Sequence, residues 1–145
     1  MKAVPLIAAL LLSGCAAVIA PALPRALPPS CPLPRQTHML NIELYFGSDI
    51  AGRAPVTPTE WDAFVTHEIA PRFPDGFTVL AGYGQWLSPN TGIVGREPNH
   101  VVRIWAAPAA DLTPKIQAVA SAYKAQFHQE AVGVTITEGC ARFTE

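Results

Sequence analysis

Between His38 and Gly47 the chain alternates with a period of two: Leu40, Ile42, Leu44 and Phe46 are separated by Met39, Asn41, Glu43 and Tyr45. That pattern predicts a half-buried strand with one face on a core. The period then changes. Thr57 is placed to cap a helix starting at Pro58, and Glu60 completes a capping box. Trp61, Phe64, Val65 and Ile69 recur on one face until Pro71 and Pro74 stop the helix. Asp75-Gly76 turns the chain into a second strand, Gly76 to Leu87, and Ser-Pro-Asn-Thr-Gly at 88–92 reads as a hairpin tip. A short return arm, Ile93 to Arg96, leads past Pro98 to a third strand over 99–107. A second helix begins at Pro114, capped by Asp111 or Thr113, with Ile116, Ala120, Tyr123 and Phe127 on its apolar face. Alternation returns over 131–143 and predicts a fourth strand.

The order β, α, β, β, α, β predicts an α+β protein: a ferredoxin-like sandwich, a four-stranded antiparallel sheet with two helices on one face. The expected spatial strand order is 4-1-3-2. The first and fourth strands are then antiparallel neighbours, so the start of one lies beside the end of the other. Gly82-Tyr83-Gly84 falls inside the second strand, and Leu87 stands where a dinucleotide fingerprint needs its third glycine. These glycines therefore read as a bulge or a close approach of backbone, not as a phosphate cradle. Trp86 is expected on the open side of the sheet.

The N-terminal run MKAVPLIAALLLSGCAAV has one lysine ahead of an apolar stretch shorter than the roughly 20 residues of a spanning helix. It reads as a targeting signal. Leu12, Ser13, Gly14 and Cys15 resemble the lipobox of bacterial lipoproteins, which implies cleavage before Cys15 and acylation, with palmitate-class chains, of that residue. An ordinary secretory signal ending at Ala20 is the alternative; both export the protein. Residues 21–34 are dense in proline and read as an extended spacer. The expected organisation is a signal peptide over 1–14, a lipidated cysteine and proline-rich tether over 15–37, and one domain over 38–145. Outer-membrane anchoring facing the periplasm is favoured, because Ala16 after the cysteine lacks the aspartate-type retention signal.

Composition narrows the partners. Among 145 residues, ten Lys and Arg against eleven Asp and Glu leave a net charge of −1, which offers no broad attraction for nucleic acid. Export places the two remaining cysteines, Cys31 and Cys140, in an oxidising compartment, where they form a candidate disulfide. The topology agrees, since Cys31 precedes the first strand and Cys140 lies near the end of the fourth.

Several segments taken together resemble a known family. Glu43–Gly47 (ELYFG), the Trp61 and Phe64 helix, 71–76 (PRFPDG), 84–86 (GQW), Arg96-Glu97 and 122–124 (AYK) followed by Phe127 are similar to the domain-of-unknown-function family 3574. Its members are small exported bacterial proteins, often lipoproteins. The resemblance implies a shared fold and an exported location, and carries no activity.

With the helices covering one sheet face, Asn41, Glu43 and Tyr45 of the first strand and Val101, Arg103 and Trp105 of the third point to the other face. Thr135, Thr137 and Trp86 are candidates to join them. Glu43, Tyr45, Trp86, Arg103 and Trp105 form the first candidate site, for ligand binding or catalysis. A plain cross-strand salt bridge between Glu43 and Arg103 is the competing structural reading. Arg72 and Asp75, with Arg96 and Glu97, form a secondary cluster expected to brace loops at one end of the sheet. Catalytic templates fail: Ser121 to Lys124 has S-x-x-K spacing without its K-T-G or S-D-N partners. His67-Glu68 lacks the second histidine of a zinc helix. His38, His67, His100 and His128 fall in separate elements, so no metal or other cofactor is expected. The sequence thus points to a membrane-anchored module binding a small ligand or a protein, and to a homodimer through the open sheet face. A cofactor-independent enzyme of the dimeric α/β barrel type and a purely structural envelope lipoprotein are the alternatives.

Overall fold

In a computed structural model of the chain, residues 30–143 are described. The lipobox, Cys15 and most of the proline-rich tether lie outside them. The folded unit begins at Cys31. Its elements are β1 (Thr37–Gly47), α1 (Pro58–Phe64), β2 (Thr78–Leu87), β3 (Val94–Ala106), α2 (Leu112–Phe127) and β4 (Gly133–Ala141). The sheet is wholly antiparallel in the order β2-β3-β1-β4, which is the predicted order read from the other edge. This is the ferredoxin-like sandwich.

The core forms where the alternation said it would. Ile42, Leu44 and Phe46 of β1 and Val102 and Ile104 of β3 are buried against Trp61 and Phe64 of α1 and Ile116, Val119, Tyr123 and Phe127 of α2. Phe46 is the hub, with ring centroids 4.7 Å from Tyr123, 5.4 Å from Trp61 and 5.9 Å from Phe64. Edge-to-face and tilted pairs of this kind add to the burial itself. The Tyr123 hydroxyl, buried among these rings, donates to the Gly47 carbonyl at 2.8 Å, and burial pushes its phenol far above the usual range.

α1 opens with the predicted capping box: Thr57 Oγ1 accepts from the Glu60 N–H and the Glu60 carboxylate accepts from the Thr57 N–H. The helix then departs from the expected single α-helix. A π turn, Val65–Ile69, follows Phe64, closed by the Ala70 N–H donating to Val65 O at 2.9 Å. In a regular helix the residue below Phe64 on the core face is Glu68, four positions on. The π turn moves that position to Ile69, so the core receives an isoleucine and Glu68 is released to pair with Arg72 at 2.9 Å.

β3 is longer than predicted, running unbroken through Pro98. β1 ends at Gly47 opposite Asn99, and the Pro98 carbonyl accepts from Ser48 N–H on that side. A strand residue aims its N–H and C=O the same way, so the nitrogen that lacks a proton faces a place where the ladder has already ended. In α2, neither predicted cap acts through its side chain. Asp111 is the N-cap residue without a capping hydrogen bond, and its carboxylate instead pairs with Lys115 at 2.7 Å.

The disulfide joins Cys31 to Cys140 across 109 positions of sequence, with Cα atoms 5.7 Å apart. It fastens the segment before β1 to the end of β4. His38 is the cross-strand neighbour of Cys140.

Candidate functional site

On the face away from the helices, Glu43 of β1 lies opposite Arg103 of β3 and Thr135 of β4. Arg103 donates to Glu43 Oε1 through Nε at 2.8 Å and Nη2 at 2.7 Å. The Tyr45 hydroxyl donates to the other oxygen, Oε2. Both carboxylate oxygens are therefore occupied. The Tyr45 hydrogen bond, then the Arg103 guanidinium, hold the Glu43 carboxyl below its ordinary range. The same bond raises the Tyr45 phenol, with Thr135 offsetting part of the shift. A carboxylate held ionised by two donors is a poor proton acceptor near neutral pH, and a phenol whose proton is engaged is a poor donor. The group is built to hold charge in place.

Two glycines of β4 set the aromatic side chains around this triad. Gly133 lies opposite Tyr45, and a Cβ there would sit 3.3 Å from the Tyr45 side chain. Gly139 lies under Trp105, and a Cβ there would sit 3.1 Å from its ring. Between Trp105 and Thr137 in the register stands Asn41, whose Oδ1 is buried without a hydrogen-bond partner. Glycines at open-face positions of β4 were the sequence signal for this arrangement, and the sequence reading passed over them.

β2 begins at Thr78, opposite Arg103, so β3 continues past it from Ile104 to Ala106 with no strand on that edge. Against this free end lie the loop Arg72 to Phe77, residues Ala107 to Asp111, and Leu112 and Lys115 of α2, enclosing a crevice of about 530 Å³. Arg103 and Trp105 form one wall, and Arg72 and Asp75 belong to another. Phe73, Phe77, Met39 and Phe143 supply apolar surface. The basic groups are internally matched: Arg72 with Glu68, Arg103 with Glu43, and Lys115 with Asp111. Asp75 has no hydrogen bond or ion pair among the described residues.

The structure thus joins parts of two clusters the sequence had kept separate, and breaks up both. Trp86 stands on the open face as expected, but it lies opposite Gly95, eight residues along β3 from Arg103, roughly 26 Å away at strand rise. It takes no part in the Glu43 site. Arg96 and Glu97 sit toward that same far end and are not neighbours of Arg72 and Asp75. Arg96 Nε donates to Gln85 Oε1 at 3.2 Å, and Glu97 accepts from the Asp49 N–H at 2.6 Å. Glu97 also fills the space over Gly47, where a Cβ would fall 2.5 Å from its carboxylate. The Gly82 and Gly84 pair likewise accommodates a side chain: the Asn99 amide lies across both. That is a close approach of a side chain, where a close approach of backbone or a bulge was expected.

The histidines fall in separate elements as expected: His38 in β1, His67 in the π turn, His100 in β3 and His128 at the end of α2. The ligand atoms of Cys31, His38 and Cys140 lie within 4.8 Å of one another. In the disulfide form the two sulfurs are bonded to each other and are not thiolate ligands. His100 stacks on Trp61 with centroids 4.1 Å apart and planes 8° from parallel, and its Nδ1 is buried without a partner.

Among solved structures, the chain is similar to a phage SAM lyase in complex with S-methyl-5'-thioadenosine, at 19% identity and a TM-score of 0.55, covering 74% of this chain and 93% of that one. A phage SAM lyase in its apo state matches at 19% identity with a TM-score of 0.52, covering 74% of this chain and 94% of that one. At this identity the likeness is one of fold. No curated protein matches the chain. The family profile described as protein of unknown function (DUF3574) matches residues 41–143, and the chain belongs to that family.

Proposed function

We propose that this member of the DUF3574 family is an exported, lipid-anchored binding module that takes a small ligand in the crevice at the open end of β3. The observation that carries the reading is the crevice itself. About 530 Å³, walled by Trp105, Phe73 and Phe77 with Arg103 and Asp75 at its margin, it has the size and the mixture of apolar wall and few polar groups of a small-molecule site. Binding is favoured over proton-transfer catalysis because the Glu43 carboxyl is held low and doubly engaged. Export is supported by the Leu12 to Cys15 lipobox pattern and by the Cys31–Cys140 disulfide, which persists in oxidising compartments.

A native mass spectrum of the mature protein taken from cells tests both parts. An acylated N-terminal Cys15 is expected, together with a co-purifying small molecule that is lost in Trp105→Ala. An unmodified precursor mass sinks the lipoprotein reading. A ligand retained by Trp105→Ala, or none retained by the wild-type protein and none taken up from an added metabolite extract, sinks the crevice. Because a solved protein of the same fold holds S-methyl-5'-thioadenosine, that nucleoside thioether is a sensible first probe.

A further inference from the structure

Eleven large apolar side chains are exposed among the described residues, and seven of them lie between Val79 and Val94 on the β2–β3 hairpin. Beyond Asn99 this hairpin outruns β1 and becomes a two-stranded arm. Tyr83 (71% exposed), Leu87 (60%) and Val94 (43%) lie on its helix-side face, Trp86 (50%) on the other, and Ile93 (67%) at the tip. A two-stranded ribbon is marginal alone in water, and apolar patches of this extent on a soluble surface mark an interface.

The outer edge of the arm has the same character. β2 is an edge strand of ten residues, Thr78–Leu87, with neither a charged residue nor a proline in it. Edge strands are ordinarily guarded by such residues, because an unguarded row of main-chain donors and acceptors templates another strand. The arm is also held in position. Ser88 Oγ at its tip donates to Glu130 Oε1 at 3.0 Å, which ties the tip to the segment after α2.

We infer that the β2 edge and its arm dock on a second copy of this chain. The exposed side chains on the arm, spread over both faces and the tip, amount to roughly 600–700 Å² per copy, an upper limit on what a second copy covers beside the about 800 Å² per partner of a standard stable interface. The uncharged strand offers no pattern for a partner of opposite charge. Antiparallel pairing of β2 with β2 of the second copy about a two-fold axis sets each apolar face beside its equivalent and satisfies both edges at once. The homodimer expected from the sequence thereby moves from the open face, whose centre is a matched ion pair, to the arm.

The test uses the mature acylated protein in detergent, by sedimentation equilibrium, with disulfide cross-linking of Val79→Cys, Tyr83→Cys and Leu87→Cys variants in intact cells. A dimer mass is expected for wild type, monomer for Tyr83→Ser/Leu87→Ser with an unchanged circular dichroism spectrum, and a cross-linked homodimer band from at least one cysteine variant. An outward cysteine on α2, Ser121→Cys, should give no such band. A wild-type monomer overturns the inference, as does a dimer indifferent to the arm substitutions. Cross-linking only to a different protein overturns it too, and assigns the arm to that partner.

Discussion

The four-stranded body and the β2–β3 arm belong to one sheet, yet they are stabilised by different means. In the body the central helix-side positions of β1 find helices above them: Ile42, Leu44 and Phe46 are completely buried. In the arm equally apolar residues find nothing within the described chain, and Tyr83, Leu87 and Ile93 stay largely exposed. The difference lies in what covers the strand, because strand propensity and alternation are similar in both. The body is held by burial and by one covalent link, whereas the arm is held by its ladder, by the Asn99 amide lying across Gly82 and Gly84, and by the Ser88–Glu130 hydrogen bond at its tip.

Substitution separates the two regimes, and the largest effect belongs to the body. Phe46→Ala removes the hub of the aromatic core and should cost about 3–5 kcal/mol in urea unfolding. Leu87→Ser in the arm should change the stability of the dissociated protein by no more than about 0.5 kcal/mol. Comparable losses would mean the arm is packed after all. Next comes the staple. Cys31→Ser/Cys140→Ser should cost about 2–5 kcal/mol, because the bond closes a loop of more than a hundred residues in the unfolded chain. Unfolding with and without a thiol reductant should show the same difference in the wild type and none in the double variant.

Gly82→Val lies at the join between the regions. Its new side chain meets the Asn99 amide, and overpacking of that kind costs about 1–3 kcal/mol. Pairing it with Asn99→Ala should recover most of the loss. If the second change recovers nothing, Asn99 is not what the glycine accommodates.

The smallest effect is in pH. Burial lowers the His100 pKa from its ordinary 6.5, so the folded protein keeps this ring neutral while the unfolded chain takes up a proton. His100 therefore contributes no loss above about pH 6.5. As pH falls from there toward the depressed folded value, stability declines, since the unfolded state binds more protons. Asp62, whose charge opposes the shift, limits its size. His100→Phe keeps the stack on Trp61 and should flatten the stability profile between pH 7 and 5. An unchanged slope would assign the acid sensitivity elsewhere.

How much of the candidate site could be read from the chain follows the same division. The face of each strand is set by a period of two, so Glu43, Tyr45, Arg103 and Trp105 were placed on the open face correctly, and the register then put Glu43 opposite Arg103. Position along a strand is a different quantity. Alternation repeats every two residues and cannot say that Trp86 sits roughly 26 Å from Arg103, or that Arg96 belongs to the far end of the sheet from Arg72. The crevice was invisible for a related reason: it exists because β2 starts opposite Arg103 while β3 runs on to Ala106, a mismatch in strand length that no local pattern encodes.

What the sequence determined by itself was governed by short-range geometry: element order, the capping box at Thr57 and the core face of β1; it made Cys31 and Cys140 a candidate pair, which the structure joins. Tertiary structure alone decided the π turn that exchanges Glu68 for Ile69, the fit of Asn99 over two glycines, the crevice, and the bare arm. Each depends on what lies opposite a residue in space. Side chains far apart in sequence meet only after the sheet has formed, and their sizes then decide which contacts can close.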